Sequence, residues 1–295
     1  MNIRQSNQST GSLRVDLHIH STHSDGKLSL KEIVAFAKQS GLGAISITDH
    51  DTISGLAEAE TECRHYRIEL INGVELSVRQ KTTDLHLLGY LFDSQNESII
   101  EYAEFFRNER VKRAREIVLR LNDIGIPISF EMVQNVAGNG VLGRPHIACA
   151  LLQSGYVKSF EEAFQYYLSE GCICFVPKFK ISPAEAISMI HRAGGVCCLA
   201  HPGNEIADET IFQLIRLGLD GIETLHPRHS QAQVDHFREI VHAKNLVETG
   251  GTDCHGKNPD DLLIGRLAVP YGFVERMKNR QQQLCQITMA ANERK

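Results

Sequence analysis

The segment that decides the fold reads VDLHIH and covers residues 15–20, near the start of a chain of 295 residues. Apolar and polar side chains alternate along it, which is typical of a β-strand, because side chains two positions apart share one face of a strand. We therefore expect His18 and His20 to point one way, while Leu17 and Ile19 point toward flanking helices. The segment predicts a pair of imidazoles on one face of a buried strand.

Short runs rich in β-branched residues alternate with amphipathic segments on both sides of the chain's centre. Seven strands are predicted, at 15–20, 44–48, 69–78, 85–92, 196–201, 221–225 and 247–252, and the helices between them at 28–40, 53–65, 183–193, 209–217 and 230–243. This βαβ rhythm predicts an α/β fold with a parallel sheet or barrel. The link 79–84 is too short for a crossover, so the third and fourth strands should form an antiparallel hairpin.

The middle of the chain interrupts the rhythm with four predicted helices, at 99–124, 130–136, 145–154 and 160–170. We interpret it as an inserted helical cap subdomain, at 101–176, between the first part of the barrel at 13–100 and the second part at 177–285. Candidate metal ligands lie on both sides of the insert. Its two ends should therefore meet near the same rim of the barrel.

Composition narrows the class of protein. With 42% apolar residues the chain can bury one sizeable core, and a net charge of -5 disfavours a broad face for polyanions, although a local basic patch is compatible with it. The polar segment 1–11 has no apolar core of a signal peptide, and no stretch suits a membrane span. Eight scattered cysteines indicate reduced thiols. We expect a cytoplasmic protein with no membrane and no DNA partner.

Candidate metal ligands recur where predicted strands end. His50 and His201 each follow a strand, Asp253 and His255 repeat the spacing of the first histidine pair, and Glu75 and His86 flank the hairpin turn. The full set is His18, His20, Asp25, His50, Glu75, His86, His201, Asp253 and His255. His, Asp and Glu without Cys suit two or three hard-to-borderline ions such as Mn, Fe or Zn, and such clusters usually hydrolyse phosphate esters. Any lone histidine is more simply a structural or solvent-facing residue, so the prediction depends on the joint pattern.

These residues resemble the PHP superfamily, the polymerase and histidinol phosphatase fold. Its four motifs match His18-Ile-His20 with Ser24-Asp25-Gly26, Thr48-Asp49-His50, His201-Pro202 and Asp253-Cys254-His255. More narrowly, the stretches 143–148 and 182–195 are similar to the RNase AM branch, also described as 3',5'-nucleoside bisphosphate phosphatases.

The resemblance implies a distorted seven-stranded β/α barrel with a trinuclear site. By similarity, one ion would take His18, His20, Glu75 and Asp253, a second Glu75, His86 and His201, and a third Asp25, His50 and His255. The cofactors would be three divalent ions, with Mn favoured over Zn, Fe or Mg. A hydroxide bridging two ions is the expected nucleophile, because bound cations lower the pKa of water. The leaving group would take a proton from His226, His229 or a metal-bound water.

Substrate phosphates need cations around the mouth of the barrel. Arg144 precedes Pro145, so its guanidinium should lie beside a helix N-terminus, where anions bind well. Further candidates are Arg110 and Arg113 on the long helix of the insert, Lys178 where the chain re-enters the barrel, and His229 after the sixth strand. Four aromatic residues are candidates for stacking a base, and the sequence does not choose among them: Tyr102, Phe105, Phe106 and Phe179.

Three functions are compatible with the sequence. The first is a metal-dependent phosphoesterase that acts on small nucleotides, as a 3',5'-bisphosphonucleoside phosphatase, on RNA 5' ends as a 5'-to-3' exoribonuclease, or on both. The second is a phosphatase for another small phosphomonoester, in the manner of histidinol phosphate phosphatases. The third is a catalytically idle PHP domain that serves as a binding module, which the complete ligand set disfavours.

Overall fold

The computed structural model describes residues 13–138 and 141–292. Within them, eight strands form one sheet: β1 Arg14–Ile19, β2 Leu42–Ile47, β3 Glu69–Gln80, β4 Thr83–Tyr90, β5 Val196–Leu199, β6 Gly221–Leu225, β7 Val247–Gly250 and β8 Val269–Pro270. The helices are α1 Leu30–Gln39, α2 Leu56–Tyr66, α3 Glu97–Asp123, α4 Phe130–Ala137, α5 Arg144–Gln153, α6 Phe160–Ala163, α7 Pro183–Arg192, α8 Asp208–Arg216, α9 Gln231–Lys244 and α10 Gly272–Asn292.

The sheet is nearly closed into a barrel. Its order is β7-β6-β5-β4-β3-β2-β1-β8, and all neighbours are parallel except the pairs that involve β4 and β8. The chain after β7 closes the gap to β1, since the amide of Asp253 donates to the carbonyl of His18 and the amide of His20 donates to that of Cys254. Gly251 permits this approach, because a Cβ there would lie 2.3 Å from the His18 backbone nitrogen. The α/β barrel and its β3-β4 hairpin are confirmed.

The strand count departs from the predicted seven. The additional strand β8 has two residues and pairs antiparallel with the start of β1, and such a short pair carries too little periodicity to be visible in a sequence. Helix α10 was also not predicted. The segment expected as one helix over 160–170 is instead the short helix α6 followed by a π-helical turn, Phe164–Leu168.

A bulge in β1 alters which side chains face the barrel interior. The register with β2 shifts between Asp16 and Ile19. As a result Leu17 joins Val15 in the apolar cluster inside the barrel, whereas Ile19 joins the cluster beneath the helices. The expectation that Leu17 packs toward the helices was wrong, because it assumed strict alternation, which a bulge interrupts.

Serine caps place several helices around the barrel. Ser29, Ser182 and Ser230 each accept from the backbone N–H three residues later, while a Glu or Gln at that position bonds back to the cap. Each of these capping boxes satisfies two helix-terminal donors that would otherwise lack a partner. Helices α1, α7 and α9 therefore begin at defined residues, directly behind the loops that carry the site.

Separate apolar clusters underlie the barrel and the cap. One cluster, entirely within 114–176, unites the second half of α3 with α4, α5 and α6. The first half of α3 instead packs Ile99 and Phe106 into the barrel's outer layer. One continuous helix thus belongs to both layers and fixes the cap over the barrel mouth. Among the described residues, no helix is long and apolar enough to cross a membrane.

Candidate metal centre

Nine His, Asp and Glu side chains converge at one mouth of the barrel. They are all of the predicted ligands: His18, His20, Asp25, His50, Glu75, His86, His201, Asp253 and His255. Six strands end at this mouth, which is where parallel barrels collect their functional side chains. The backbone is unusual there, since His201 and Asp253 have φ values of 24° and 52°, in a region that non-glycine residues rarely adopt. The backbone at these two residues is therefore held in this conformation by the surrounding site and not by the conformational preference of His or Asp.

Four of these side chains form a compact cage of donor atoms. The Nε2 atoms of His18 and His20 are 3.2 Å apart. Glu75 Oε2 lies 3.4 Å from the first and 3.1 Å from the second, and Asp253 Oδ1 lies 3.4 and 3.2 Å from the same atoms. The centre of a tetrahedron with such edges lies about 2 Å from every corner, which is the length of metal–nitrogen and metal–oxygen bonds.

Two further groups adjoin this cage. Ring nitrogens and carboxylate oxygens of His20, Asp25, His50 and His255 lie within 4.8 Å of one another, as do those of His50, Glu75 and His86. His201 is outside these three groups, although its Nε2 lies 3.0 Å from Glu75 Oε1. The first and third ligand sets implied by the resemblance are therefore gathered in space. In the second set, His86 Nδ1 and His201 Nε2 both lie near Glu75 Oε1, at 2.8 and 3.0 Å, while the compact group around Glu75 and His86 contains His50 instead of His201.

Some donor atoms of the site are close together but do not hydrogen-bond one another. Glu75 Oε2 and His50 Nδ1 are buried and 3.1 Å apart, yet neither has a hydrogen-bond partner with acceptable geometry. Buried polar atoms without a partner are costly and rare. A cation between them would satisfy both, so the residues present fit a metal-binding role.

The environment sets the charges of this cluster. Burial would raise the pKa of the Glu75 carboxyl, but His50, His86 and His18 outweigh it and hold that pKa well below its ordinary value. Burial would lower the pKa of His20, but the carboxylates of Asp253 and Glu75 prevail and raise it to about 10. The carboxylates are ionised at neutral pH, as ligands must be, and a cation competes with a proton for His20.

Glu223, which sequence reasoning missed, orients the first ligand. It is fully buried on β6, and its Oε1 lies 3.0 Å from His18 Nδ1, while its Oε2 accepts from the His201 amide at 2.8 Å. This contact favours a proton on His18 Nδ1, so that the lone pair of Nε2 is free to bind a cation in the cage. The available signal was a single charged residue within the strand 221–225. Asp16 accepts from the amides of Thr252 and Gly265 and thereby holds the loops after β7.

Asp51, directly after His50, joins the barrel to the cap. Its buried carboxylate lies 2.6 Å from Lys178 Nζ and 3.0 Å from Arg110 Nη2, and it accepts from the Tyr102 hydroxyl at 2.8 Å. Burial would raise its pKa, but Lys178 and Arg110 lower it strongly. Two predicted substrate-binding cations are thus positioned by a carboxylate that the sequence analysis did not select.

A cavity of about 450 Å³ lies between the metal ligands and the cap. Asp25 and His50 contribute to it from the barrel. Its cationic side chains are Lys27, Arg110, Arg113, Arg144 and Lys178. Four of these five were predicted to bind substrate, and Lys27 was not among the candidates because a lysine in a polar loop carries no periodic signal.

The cations of this cavity are held close together without full neutralisation. Arg113 Nε donates to the carbonyl of Val176 at 2.8 Å, and Arg144 Nη1 donates to that of Leu168 at 3.0 Å. Burial, together with the charges of Arg144 and Arg110, lowers the pKa of Arg113 to about 10. Positive charge is therefore destabilised here, and a bound anion would relieve the repulsion.

The two histidines after β6 differ in whether a ring nitrogen remains without a hydrogen bond. His229 Nδ1 lies 3.0 Å from the carbonyl of Thr224, and its Nε2 accepts from the Gly203 amide at 3.2 Å. Both ring nitrogens are engaged by backbone, so these contacts do not support the substrate-binding role predicted for His229. His226 Nδ1 accepts from the Arg228 amide, whereas its buried Nε2 lacks a hydrogen bond and lies 3.6 Å from Asp253 Oδ2.

The chain matches one family model and is similar to several known proteins. The family model of the PHP domain matches residues 16–204. The chain is similar to a 5'-3' exoribonuclease of Haemophilus influenzae, with 38% identity over 271 residues that cover 90% of this chain and 94% of that protein. It is also similar to a 3',5'-nucleoside bisphosphate phosphatase of Chromobacterium violaceum, with 31% identity over 257 residues, 85% of this chain and 90% of that protein.

The fold is also similar to that of solved structures. A protein of Bifidobacterium adolescentis, described as a candidate metal-dependent phosphoesterase, has a TM-score of 0.80 and 30% identity, and the match covers 92% of this chain and 97% of that one. The match spans both the barrel and the cap.

Proposed function

The chain belongs to the PHP domain family, and from that premise we propose that it is a metal-dependent phosphoesterase. Its substrates would be 3',5'-bisphosphonucleosides, from which it releases phosphate, and the 5' ends of short RNAs, from which it removes nucleotides. The observation that carries the proposal is the cage of four donor atoms beneath a cavity with five cations. A bisphosphate needs one anion site at the reacting phosphate and a second beside it, and the chain offers both.

We propose three divalent ions, with Mn favoured over Zn, Fe or Mg. His18, His20, Glu75 and Asp253 would hold the first, and Asp25, His50 and His255, with His20 adjacent, the third. The second would take Glu75 and His86, with His50 or His201 completing its ligands. Such ions polarise the phosphoryl oxygens and lower the pKa of a coordinated water. The all-nitrogen and oxygen donor set agrees with these hard-to-borderline metals.

The protein's own residues orient this centre. Glu75 places one carboxylate oxygen toward the first group and the other toward His86 and His201, at 2.8 and 3.0 Å. Glu223 fixes the tautomer of His18. Asp49, which accepts from the amide and hydroxyl of Ser21, shapes the loop that carries Asp25. The ligands are thereby held before substrate arrives, which avoids a reorganisation cost during the reaction.

The cap would recognise the phosphate that is not hydrolysed. Arg113 and Arg144 each retain donor groups beyond the one that holds a backbone carbonyl, and a guanidinium can bind two phosphate oxygens at once. Arg110 and Lys178 are positioned by Asp51 at the border between the cavity and the barrel. Binding energy from this second phosphate would orient the first over the donor cage.

His226 is the best-placed ring to donate a hydrogen bond to the leaving oxygen, whose proton would come from water, because a neutral imidazole cannot give up its own. Because its Nδ1 accepts a backbone N–H, a neutral ring carries its proton on Nε2. That atom is buried beside Asp253 and is not used by another hydrogen bond. His229, whose two ring nitrogens bind backbone, is less suited to the same task.

We further propose the cap boundaries 101–176 and a cytoplasmic location. The apolar cluster confined to 114–176 supports the first. The eight free thiols in the structure agree with the second.

The decisive experiment compares substrates on one metal-reconstituted preparation. Adenosine 3',5'-bisphosphate, a 5'-phosphorylated oligoribonucleotide and histidinol phosphate would be supplied with Mn, and released phosphate and mononucleotides measured. We expect turnover of the first two, little of the third, and loss of activity after chelation. Asp25→Ala serves as the ligand-deficient comparison. Preferential turnover of histidinol phosphate would refute the proposed substrate class. Activity of Asp25→Ala equal to that of the wild type would refute the proposed metal-dependent reaction.

A further inference from the structure

A second groove of about 490 Å³ lies on the outer side of the cap's long helix. It runs between α3 and the segment 176–180, next to the β3-β4 hairpin. Five of its ten lining side chains are cationic and two are acidic: Arg79, Lys112, Arg113, Lys178 and Lys180 against Glu109 and Glu116. On a chain with a net charge of -5, this is a local concentration of positive charge.

The groove adjoins the cavity between the cap and the barrel mouth. Arg113 and Lys178 line both spaces, so the two openings lie on either side of this pair. A chain whose 5' phosphate is held in the cavity, and whose remainder must leave it, would cross this pair and enter the groove.

An exposed aromatic platform lies beside these cations. Phe179 is 44% exposed and Phe105 is 42% exposed, and their rings meet edge to face with centroids 5.0 Å apart. Phe106 beneath them is buried, with its centroid 5.8 Å from that of Phe179. A solvent-exposed ring that is supported from below and flanked by cations is the arrangement on which single-stranded nucleic acids stack their bases.

The ion pairs of the groove leave positive charge in excess. Asp84 is shared by Arg79 and Lys180, and Glu109 pairs with Lys112 at 2.6 Å. One carboxylate thus serves two cations, and the side chain of Lys112 remains 71% exposed. A phosphodiester backbone would supply the negative charge that the protein does not.

We propose that this groove binds the nucleotides of a single-stranded RNA that follow the scissile phosphate, with a base stacked on Phe179 and the backbone bound by Lys112, Arg113 and Lys180. The inference rests on the proposed function, which it extends by separating two substrate classes. A bisphosphonucleoside ends inside the cavity and does not reach the groove, whereas an oligoribonucleotide occupies both.

The test is a binding measurement that needs no turnover. Anisotropy of a 5'-phosphorylated, 3'-fluorescein-labelled oligoadenylate of six nucleotides would be measured on the full chain in EDTA. Phe179→Ala is expected to raise Kd roughly tenfold, as for the loss of one stacked base. Lys112→Glu should also raise Kd and reduce the slope of log K against log salt by about 0.7.

Matched variants control for nonspecific effects. Tyr156→Ala removes a ring that is 39% exposed elsewhere on the cap, and Lys31→Glu reverses an exposed charge on α1. Both should bind as the wild type does. Hydrolysis of adenosine 3',5'-bisphosphate by the reconstituted Phe179→Ala and Lys112→Glu proteins should stay within about twofold of the wild type, since that substrate does not reach the groove.

The outcomes separate the groove from the proposed function. Absence of RNA binding by the wild type, or groove variants that bind as tightly as the controls, would overturn the groove even if both substrates are hydrolysed. Weakened RNA binding in the groove variants would support it even if neither substrate is hydrolysed, in which case the proposed function alone fails.

Discussion

The barrel mouth and the cap cavity face the same space but are built by different means. Candidate ligands at the mouth lie on strands or on the loops that directly follow them, and the two histidine donors of the cage lie 3.1 to 3.4 Å from each other and from the carboxylate oxygens. Four of the five cations of the cavity come from α3, α5 and the segment 176–180 and are held by carbonyl oxygens and by Asp51, while Lys27 comes from the loop before α1. Under the proposed function, the mouth would fix the chemistry, while the cavity would select which phosphate ester is accepted.

The strongest test of this division is Glu75→Gln at the mouth. We expect kcat/KM to fall at least about a thousandfold on every substrate, because the lost carboxylate contributes to two ligand groups and several kcal/mol of charge stabilisation. Phosphate release and metal content by mass spectrometry measure the effect. Glu60→Gln, on the exposed face of α2, should change neither. Full activity with unchanged metal content in Glu75→Gln would contradict the assignment of the mouth.

Asp51→Asn tests the buried ion pairs that connect the barrel mouth to the cap. Removing the buried charge leaves Lys178 and Arg110 uncompensated, so the free energy of unfolding should fall by about 3 kcal/mol at pH 7. The pKa of Asp51 is held below its ordinary 3.8. Its contribution is therefore complete above about pH 4 and is lost as the pH falls further, so wild type and variant should converge in acid.

Urea unfolding across this pH range measures that effect. Asp84→Asn is the control, since its ion pairs are half exposed and should contribute less than about 1 kcal/mol. Equal destabilisation by both variants would mean that Asp51 is not the buried joint described above.

Glu223→Gln tests whether the mouth depends on its supporting residues. Loss of the anionic acceptor behind His18 should weaken metal binding about 10- to 100-fold. Calorimetric titration of the metal-free protein with Mn measures this. Glu248→Gln is the matched control, because Glu248 is also a buried strand glutamate but contacts Thr224 and Arg238 instead. Comparable metal affinity in the two variants would contradict the role of Glu223.

Arg144→Ala tests whether the cavity binds the phosphate that is not hydrolysed. Loss of one charged hydrogen bond should raise KM for a bisphosphonucleoside roughly tenfold with little change in kcat. Hydrolysis of phenyl phosphate, which has a single phosphate, should be unaffected. Arg115→Ala, whose guanidinium lies over the Phe130 ring, is the control on the same cap. An equal loss on both substrates would place Arg144 in the chemistry rather than in recognition.

The nine candidate ligands could be selected from the sequence because each lies at or near the end of a periodic segment. Glu223 and Asp51 were not, although both are buried and each contacts residues that were predicted. A single carboxylate inside a strand, such as Glu223, or in a turn after one, such as Asp51, gives no periodic signal, and its role becomes visible only when a partner distant in sequence lies beside it. The bulge that turns Leu17 inward escaped for a related reason, since one inserted residue changes the facing of a strand without changing its composition.

By itself the sequence determined the α/β alternation, the hairpin and the helical insert, because strand and helix periodicity are local properties of the chain, and it supplied the candidate metal ligands. Only the tertiary structure decided that β8 and the loop after β7 nearly close the barrel, that Glu223 orients His18, and that Arg113 and Lys178 lie between two cavities. These arrangements depend on contacts between segments far apart in the chain. Burial then fixes their charges and hydrogen bonds, which no local pattern records.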